Sequence, residues 1–470
     1  MADAPRKTLL ALAAPLIVSF TIRSLLSSID VVYAGQLGDS AVAAIGLFFP
    51  IEFTFIACWV GTSAALTSYL SKAMGEQHEG QLTQLLAVSR KIVIALSAFF
   101  LCVAAGLWLL APHLPLEADL ARDFRIYGAT AMAGIALCAF WSVLPDSLIK
   151  AHHDTRSTMI AGLISGVLNL ALNTLFVFGF GWGIFGIGLA TGLARLGSLL
   201  YALLRARALE AQRREDWKTA APPRKRYGKR PGYTDAGLLN RPYAALFALG
   251  VPSALTYVLM STEGALVNGV LASFGDAKEA IAAYAIYHRS VMLALMPVIA
   301  TGVAVLPFVA RVIGEGRHGE VREQLGGAFK LALVYVVLIA APLCYFGSAP
   351  LARLLAEGET TQRLASFAVR FGTPLGALCA VPFILCRPAF EALQRGAPGL
   401  VMAFVRYVLL AAPLALVGAF AARQLDQEPF FGLIAGLVIG SGVTSVAFMV
   451  WLGKTLHELS QPKTYPKPGA

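Results

Sequence analysis

Apolar residues in this chain come in long, nearly unbroken blocks, without the alternating or helical striping of a soluble fold. A hydrocarbon core of about 30 Å, at about 1.5 Å per helical residue, takes roughly 20 apolar residues to cross. Blocks of that order predict spans at about 9–34, 41–71, 92–112, 126–149, 158–180, 183–204, 244–273, 280–310, 331–348, 371–394, 399–420 and 430–453. The expected fold is an all-α polytopic membrane protein with twelve transmembrane helices. Its first apolar run follows Arg6 and Lys7 as a secretory signal would. That run carries Arg23 and Asp30 and passes any plausible cleavage point, so it reads as the first span.

Composition supports this class. The 470 residues are 57% hydrophobic and 14% charged, with a mean hydropathy of +0.69. Soluble domains run near a quarter charged, so an ordinary soluble enzyme is excluded. A net charge of +11 would point to nucleic acid in a soluble protein. Here most Lys and Arg fall in alternate segments starting with the N-terminus, the bias that marks the cytoplasmic side. Both termini and the central loop are therefore expected in the cytoplasm, and no nucleic-acid partner is expected. The six cysteines (Cys58, Cys102, Cys138, Cys344, Cys379, Cys386) all lie in spans and lack CxxC spacing. They read as small apolar packing residues.

Four segments follow: an N-lobe at 1–204, a basic linker at 205–243, a C-lobe at 244–455 and a cytoplasmic tail at 456–470. The linker holds Arg205, Arg207, Arg213, Arg214, Lys218, Arg224, Lys225, Arg226, Lys229, Arg230 and Arg241, with Pro222 and Pro223. It reads as a solvated connector that anionic lipid headgroups attract. On either side the sequence repeats. Pro15 and Gly38 are spaced like Pro252 and Gly275, and each Gly precedes an Asp. Gly75-Glu76, Gly80, Leu86 and Lys91 recur as Gly314-Glu315, Gly319, Leu325 and Lys330, at a constant offset of 239. Six spans per half return the chain to the same side, so two six-helix bundles are expected about an axis along the membrane normal, enclosing a central cleft. That is the architecture of a transporter.

An ionisable residue inside a span costs a few kcal/mol and calls for a partner, water or a function. The first half offers Arg23, Asp30, Glu52, Asp146, Lys150 and Arg195; the second offers Glu263, His288, Arg289, Arg387, Glu391 and Arg406. Asp30 has no basic neighbour one helical turn away, which suits a proton or sodium carrier; a structural hydrogen bond is the alternative. Asn169 and Asn173, at i, i+4, share one helix face, and their amide oxygens suit an alkali cation as well as they suit helix packing. Thr191 adds a hydroxyl. Asp146–Lys150 and Arg387–Glu391 have the spacing of intrahelical ion pairs. If Lys150 instead snorkels to the surface, Asp146 is free to join Asp30. Glu263 has no basic neighbour on its own helix. It is expected in the second half's part of the cleft, with Tyr287, His288 and Arg289 as weaker candidates and a Glu263–Arg289 pair as one option. His288 can titrate near neutrality, although a structural histidine is the commoner case. The His152-His153-Asp154 turn lacks a further ligand, so no metal site is expected there. No P-loop occurs, and any uphill work must use an ion gradient or an external ATPase.

The segment APLIVSF…SSIDVVYAGQLGDSAVAAIGL in the first span resembles the opening of the multidrug and toxic compound extrusion (MATE) family of transporters. LNLALNTLFVFGFGWGIFGIGLAT in the fifth and sixth spans and AAYAIYHRSVMLALMPVIATGVAV in the eighth are similar to family segments too. The similarity covers about 1–455. It implies a V-shaped pair of six-helix lobes and antiport of organic, usually cationic, compounds against protons or sodium. By that resemblance Asp30 matches the first-span acid, Asn169 the fifth-span Asn and Thr191 the sixth-span Thr of an N-lobe cation site. One departure concerns the acids. Prokaryotic relatives often carry Asp where this chain has Asn173, while Asp146 occupies a fourth-span position that is often Asn.

The expected protein is thus a secondary antiporter of a prokaryotic inner membrane. It would work as a monomer without cofactor, exporting amphipathic compounds, expected to be cationic, against protons or sodium by alternating access. Asp30, Asp146, Asn169, Asn173 and Thr191 would couple the ion, with sodium, if used, at Asp30, Asn169, Asn173 and Thr191. The 27 Phe, 9 Met and 6 Trp offer an adaptable lining. The alternative is a flippase for a lipid-linked saccharide or another lipid, for which Arg23, Arg195, Arg289 and Arg406 would supply cations. A membrane-embedded enzyme is not expected, since no catalytic constellation is present.

Overall fold

The computed structural model describes residues 8–26, 29–219, 240–356 and 358–460, without the side chains of 23–26, 29, 31 and 460. The Arg23 side chain, most of the basic linker and most of the tail lie outside the described residues. The described residues are helices joined by short turns, with no strand among them. We number the helices α1 (Leu9–Leu26, followed by Ile29–Gly35), α2 (Asp39–Gly75), α3 (Glu79–His113), α4 (Ala118–Ala151), α5 (Thr155–Gly179) and α6 (Gly183–Thr219). The second half contains α7 (Pro242–Leu271), α8 (Ala277–Gly314), α9 (His318–Leu355), α10 (Glu359–Ala392), α11 (Ala397–Gln424) and α12 (Pro429–Leu459). Eleven of them, all but α1, are long and apolar enough to cross a membrane in one uninterrupted run.

The helices outrun the apolar blocks because nothing in the flanking sequence breaks them. α3 begins at Glu79, in the polar sequence right after the GEQH turn and well before the apolar block expected from 92. α6 continues from the expected span end near 204 to Thr219. The segment expected as a solvated connector from 205 therefore starts as helix, with Arg213 buried against Glu210 at 2.9 Å.

Gln77 and Gly316, 239 positions apart like the repeated motifs, both take left-handed backbone in the turns after α2 and α8. The duplication is therefore present in the backbone. One hydrophobic core joins α2–α6 and takes in Leu246 and Leu249 of α7. A second joins α8–α12, and Leu9, Leu12, Ala13 and Leu16 of α1 belong to it. α1 thus begins in the core of the second lobe and ends, at Asp30, in the first.

The lobes meet at one end, where α2 and α8 finish. Ser68 donates to the Glu391 carbonyl at 2.7 Å, Tyr69 to the Ala245 carbonyl at 3.3 Å, and Lys72 to Gln394 at 3.4 Å. Glycines allow the backbones to touch. A Cβ on Gly75 would lie 2.5 Å from the Arg311 carbonyl oxygen, and one on Gly314 would collide with the Lys72 carbonyl. Gly61 and Gly250 make a similar contact between α2 and α7.

Candidate functional site

Asp30 lies on Ile29–Gly35, and its carboxylate is surrounded by donors from two other helices. Asn173 Nδ2 donates to Oδ1 at 2.8 Å, Asn169 Nδ2 to the same oxygen at 3.2 Å, and Thr191 Oγ1 to Oδ2 at 2.9 Å. The four side chains also bond among themselves, Asn173 to the Asn169 oxygen at 3.3 Å and Asn169 to Thr191 at 3.4 Å. The i, i+4 spacing puts both asparagines on the face of α5 that meets α1 and α6. α6 comes close because it carries glycines. A Cβ on Gly134 of α4 would lie 2.6 Å from the Gly192 Cα, and one on Gly186 2.9 Å from Phe176 of α5.

Directly after Asn173 the helix widens into a π-helical turn, Thr174–Gly179, a distortion common at functional sites. Asn173 is fully buried, and its side-chain amide oxygen Oδ1 has no hydrogen-bond partner. Every group around Asp30 offers oxygen, the donor type that alkali cations prefer. Amide orientation follows the hydrogen-bond network, and turning either amide exchanges a donor for an acceptor. The set fits a bare carboxylate in one orientation and a small hard cation in the other. Tyr33, one turn after Asp30, reaches Thr174 at 2.5 Å. Both escaped the sequence reading, although Tyr33 lies one turn from Asp30 and Thr174 directly follows Asn173.

The remaining candidates are placed differently. Asp146 is bonded to Lys150 at 2.6 Å, both side chains mostly buried; it is held on its own helix, not in the Asp30 group. Lys150 does not snorkel, because Trp59 and the carboxylate retain it within the lobe. Glu52 and Arg195, from α2 and α6, pair at 3.4 Å. The Tyr287-His288-Arg289 triplet divides, since successive helix positions lie about 100° apart. Tyr287 is buried with its hydroxyl against Gly376, whereas His288 and Arg289 are exposed. Glu263 lies in the electrostatic field of Arg406. The Arg406 guanidinium rests over Phe383 and Tyr407, and its Nε is unpartnered.

Glu391 of α10 is buried, accepting from Ser253 at 2.7 Å and pairing with Arg387 at 3.3 Å, while Arg387 lies over the Tyr257 ring. Ser253 and Tyr257 carried no sequence signal. The His152-His153-Asp154 turn is a structural joint. His152 pairs with Glu210 at 2.7 Å, and His153 bonds the Pro307 carbonyl across the seam at 3.2 Å. Asp154 caps α5 and pairs with Arg205 at 2.6 Å. Burial pushes the Glu210 carboxyl up, but hydrogen bonds from His152 and Arg213, with the Arg213 charge, outweigh it and hold it at about 2. Asp154 is likewise held below the carboxylate range: bonds from Ser157 and Arg205, and the Arg205 charge, overcome the effect of burial. Among the described residues no cluster of His, Cys, Asp and Glu could hold a metal ion.

Comparison with known proteins fits this arrangement. A FAD transporter of Shewanella oneidensis is 25% identical over 404 residues, 83% of each chain. The probable multidrug resistance protein YoeA of Bacillus subtilis is 24% identical over 74% of this chain and 73% of its own. Among solved structures, an outward-facing multidrug resistance MATE family transporter of the MOP superfamily superposes with a TM-score of 0.80 over 97% of this chain and 96% of that one, at 18% identity. A Vibrio cholerae MATE transporter gives 0.78 over 96% of both chains, at 22% identity. The MatE family profile matches residues 15–175 and 252–417, one stretch in each lobe. With the two lobes, the cleft between them and the profile match in both halves, the chain belongs to the MatE family of integral membrane transporters.

Proposed function

We propose that this transporter is an antiporter that exports amphipathic organic compounds in exchange for protons or sodium ions, with Asp30, Asn169, Asn173 and Thr191 as the ion-coupling group. The carrying observation is a half-buried carboxylate enclosed by two amides and a hydroxyl, with the Asn173 oxygen unsatisfied beside it. A proton on Asp30 turns one acceptor into a donor, and a sodium ion requires the amide oxygens to face inward. Either event rearranges the contacts between α1, α5 and α6. Because α1 starts in the core of the other lobe, that rearrangement is felt at the seam, and an ion that binds the two lobe arrangements unequally shifts their balance. Asp146 is proposed to keep its lobe folded through Lys150.

With both termini in the cytoplasm of a prokaryotic inner membrane, the seam at Gly75 and Gly314 lies on the cytoplasmic side, and the cleft opens outward. A second reading keeps the antiport and changes the substrate to an anionic aromatic compound. Arg406, poised on two aromatic faces with its Nε unpartnered, supports it, as does similarity to a FAD transporter.

The test is efflux from proteoliposomes under an imposed proton or sodium gradient, using a fluorescent lipophilic cation, a flavin nucleotide and a labelled lipid in parallel. Gradient-driven efflux that Asp30→Asn abolishes supports antiport, and the effective gradient names the ion. Lipid movement without dependence on either gradient would overturn it.

A further inference from the structure

Away from the cleft, α9 and α10 part on the outer surface of the second lobe to leave a shallow groove of about 450 Å³. Val337, Ala341 and Phe346 wall it from α9; Phe371, Pro374 and Leu375 wall it from α10. Several of these side chains are exposed, Phe346 to 78% and Leu375 to 52%. For a helix in a membrane, that exposure faces lipid. Each wall contains a π-helical turn, Val336–Ala340 in α9 and Ala368–Gly372 in α10. Each turn widens its helix locally, a distortion often found at functional positions. Gly372 is packed tightly against Ile434 and Tyr287, so the turn faces the lobe interior at Gly372 and the surface at Arg370.

Arg370 stands at the head of the groove. Its guanidinium lies 4.2 Å from the centre of the Tyr345 ring, and no carboxylate among the described residues is within ion-pair distance. Along the sequence, Arg370 immediately precedes the apolar block at 371–394, and Tyr345 lies near the end of the block at 331–348. Both therefore sit where hydrocarbon gives way to headgroups, the depth that Arg and Tyr favour. Arg363, nearer the end of the same helix, is already neutralised by Glu428 at 2.5 Å. The groove thus presents one uncompensated cation above an apolar trough.

We propose that the groove binds an anionic glycerophospholipid of the leaflet at that end. Its phosphate pairs with Arg370, and one acyl chain lies between α9 and α10. A guanidinium offers a planar fork of donors that matches two phosphate oxygens, while Tyr345 fixes its plane from the other side. A phosphatidylglycerol headgroup brings a single negative charge and cancels the single positive charge. A zwitterionic headgroup would bring an ammonium for which the described residues of the groove offer no carboxylate.

The test is native mass spectrometry of the full-length protein, titrated in detergent with dioleoylphosphatidylglycerol or dioleoylphosphatidylcholine. The wild type should retain one phosphatidylglycerol in preference to phosphatidylcholine. Arg370→Gln should weaken that binding at least about tenfold, and Leu375→Trp, which fills the trough and leaves the charge, should do the same. Arg363→Gln should bind as the wild type does. Both exchanges are at exposed positions, and monodisperse elution confirms that the variants fold. Equal retention by wild type and Arg370→Gln would overturn the proposal. So would an effect of Arg370→Gln that Leu375→Trp fails to reproduce, which would mean an interfacial charge without a groove, or an equal loss in Arg363→Gln, which would mean general surface attraction.

Discussion

Asn173 Nδ2 donates a 2.8 Å hydrogen bond to Asp30 while the same amide's Oδ1, fully buried, has no partner. Leaving a buried acceptor unsatisfied costs about 1–3 kcal/mol, so a residue kept only for stability would be a poor choice here. Asn173→Ala removes the donor and the orphaned oxygen together. We expect ion-driven efflux to fall at least about tenfold, the loss expected when a contact worth about 1.4 kcal/mol is removed, with little change in melting temperature. A large loss of melting temperature with efflux intact would make Asn173 structural.

Lys150 and Asp146 form a mostly buried pair, and removing one partner of such a pair costs about 3–5 kcal/mol. Lys150→Met should therefore melt well below the wild type, and the double variant with Asp146→Asn should recover most of that loss. Asp146→Asn alone should retain gradient-driven transport, unlike Asp30→Asn. If Asp146→Asn also uncouples transport, the acid belongs to the ion pathway after all.

Glu210 carries a pH signature outside the membrane-spanning part of α6. Its carboxyl titrates at about 2 in the folded protein against 4.5 ordinarily. Its stabilising effect is complete above about 4.5 and is lost as pH falls from there toward 2. Glu210→Gln should lower stability at neutral pH by about 1 kcal/mol, discounted for water around the pair, and the gap to the wild type should close through that acid window. A gap independent of pH would mean that His152 and Arg213 do not hold this carboxylate charged.

The seam makes a steric prediction. Gly314→Leu places a branched side chain against the Lys72 carbonyl, so the closed end cannot form as described. Spin labels at exposed positions of α2 and α8 should report a longer distance across the seam, with the separated population raised at least about tenfold, as about 1.4 kcal/mol of strain requires. An unchanged distance distribution would place the closure elsewhere.

Much of the architecture was legible because a membrane writes it in block hydropathy. Span count and the duplicated halves need only composition and spacing. Helix ends were less legible. The polar starts of α3 and ends of α6 carry no apolar signal, and helix continues wherever no Gly or Pro stops it. At the candidate site, Asp30, Asn169, Asn173 and Thr191 were readable because a lone intramembrane acid and an i, i+4 amide pair each demand a partner. Asp146–Lys150 was ambiguous, since the same spacing allows pairing or snorkelling, and only burial against Trp59 decides. Ser253, which meets Glu391 from 138 positions away, belongs to no pattern that a linear reading could detect.

Gly75 and Gly314 occupy the same place in the two halves, and they touch. Two residues exchanged by a rotation can meet only near its axis, so this contact marks where that axis runs. In a symmetric dimer of a six-helix ancestor, the same glycine would have faced its own copy across an isologous interface. Fusing two copies keeps that contact but frees each side to change alone. Asp30 and its amides stand in one half, while Glu263 and Arg406 occupy the other. The glycine contact thus keeps a symmetry that the charged groups of the two lobes no longer share.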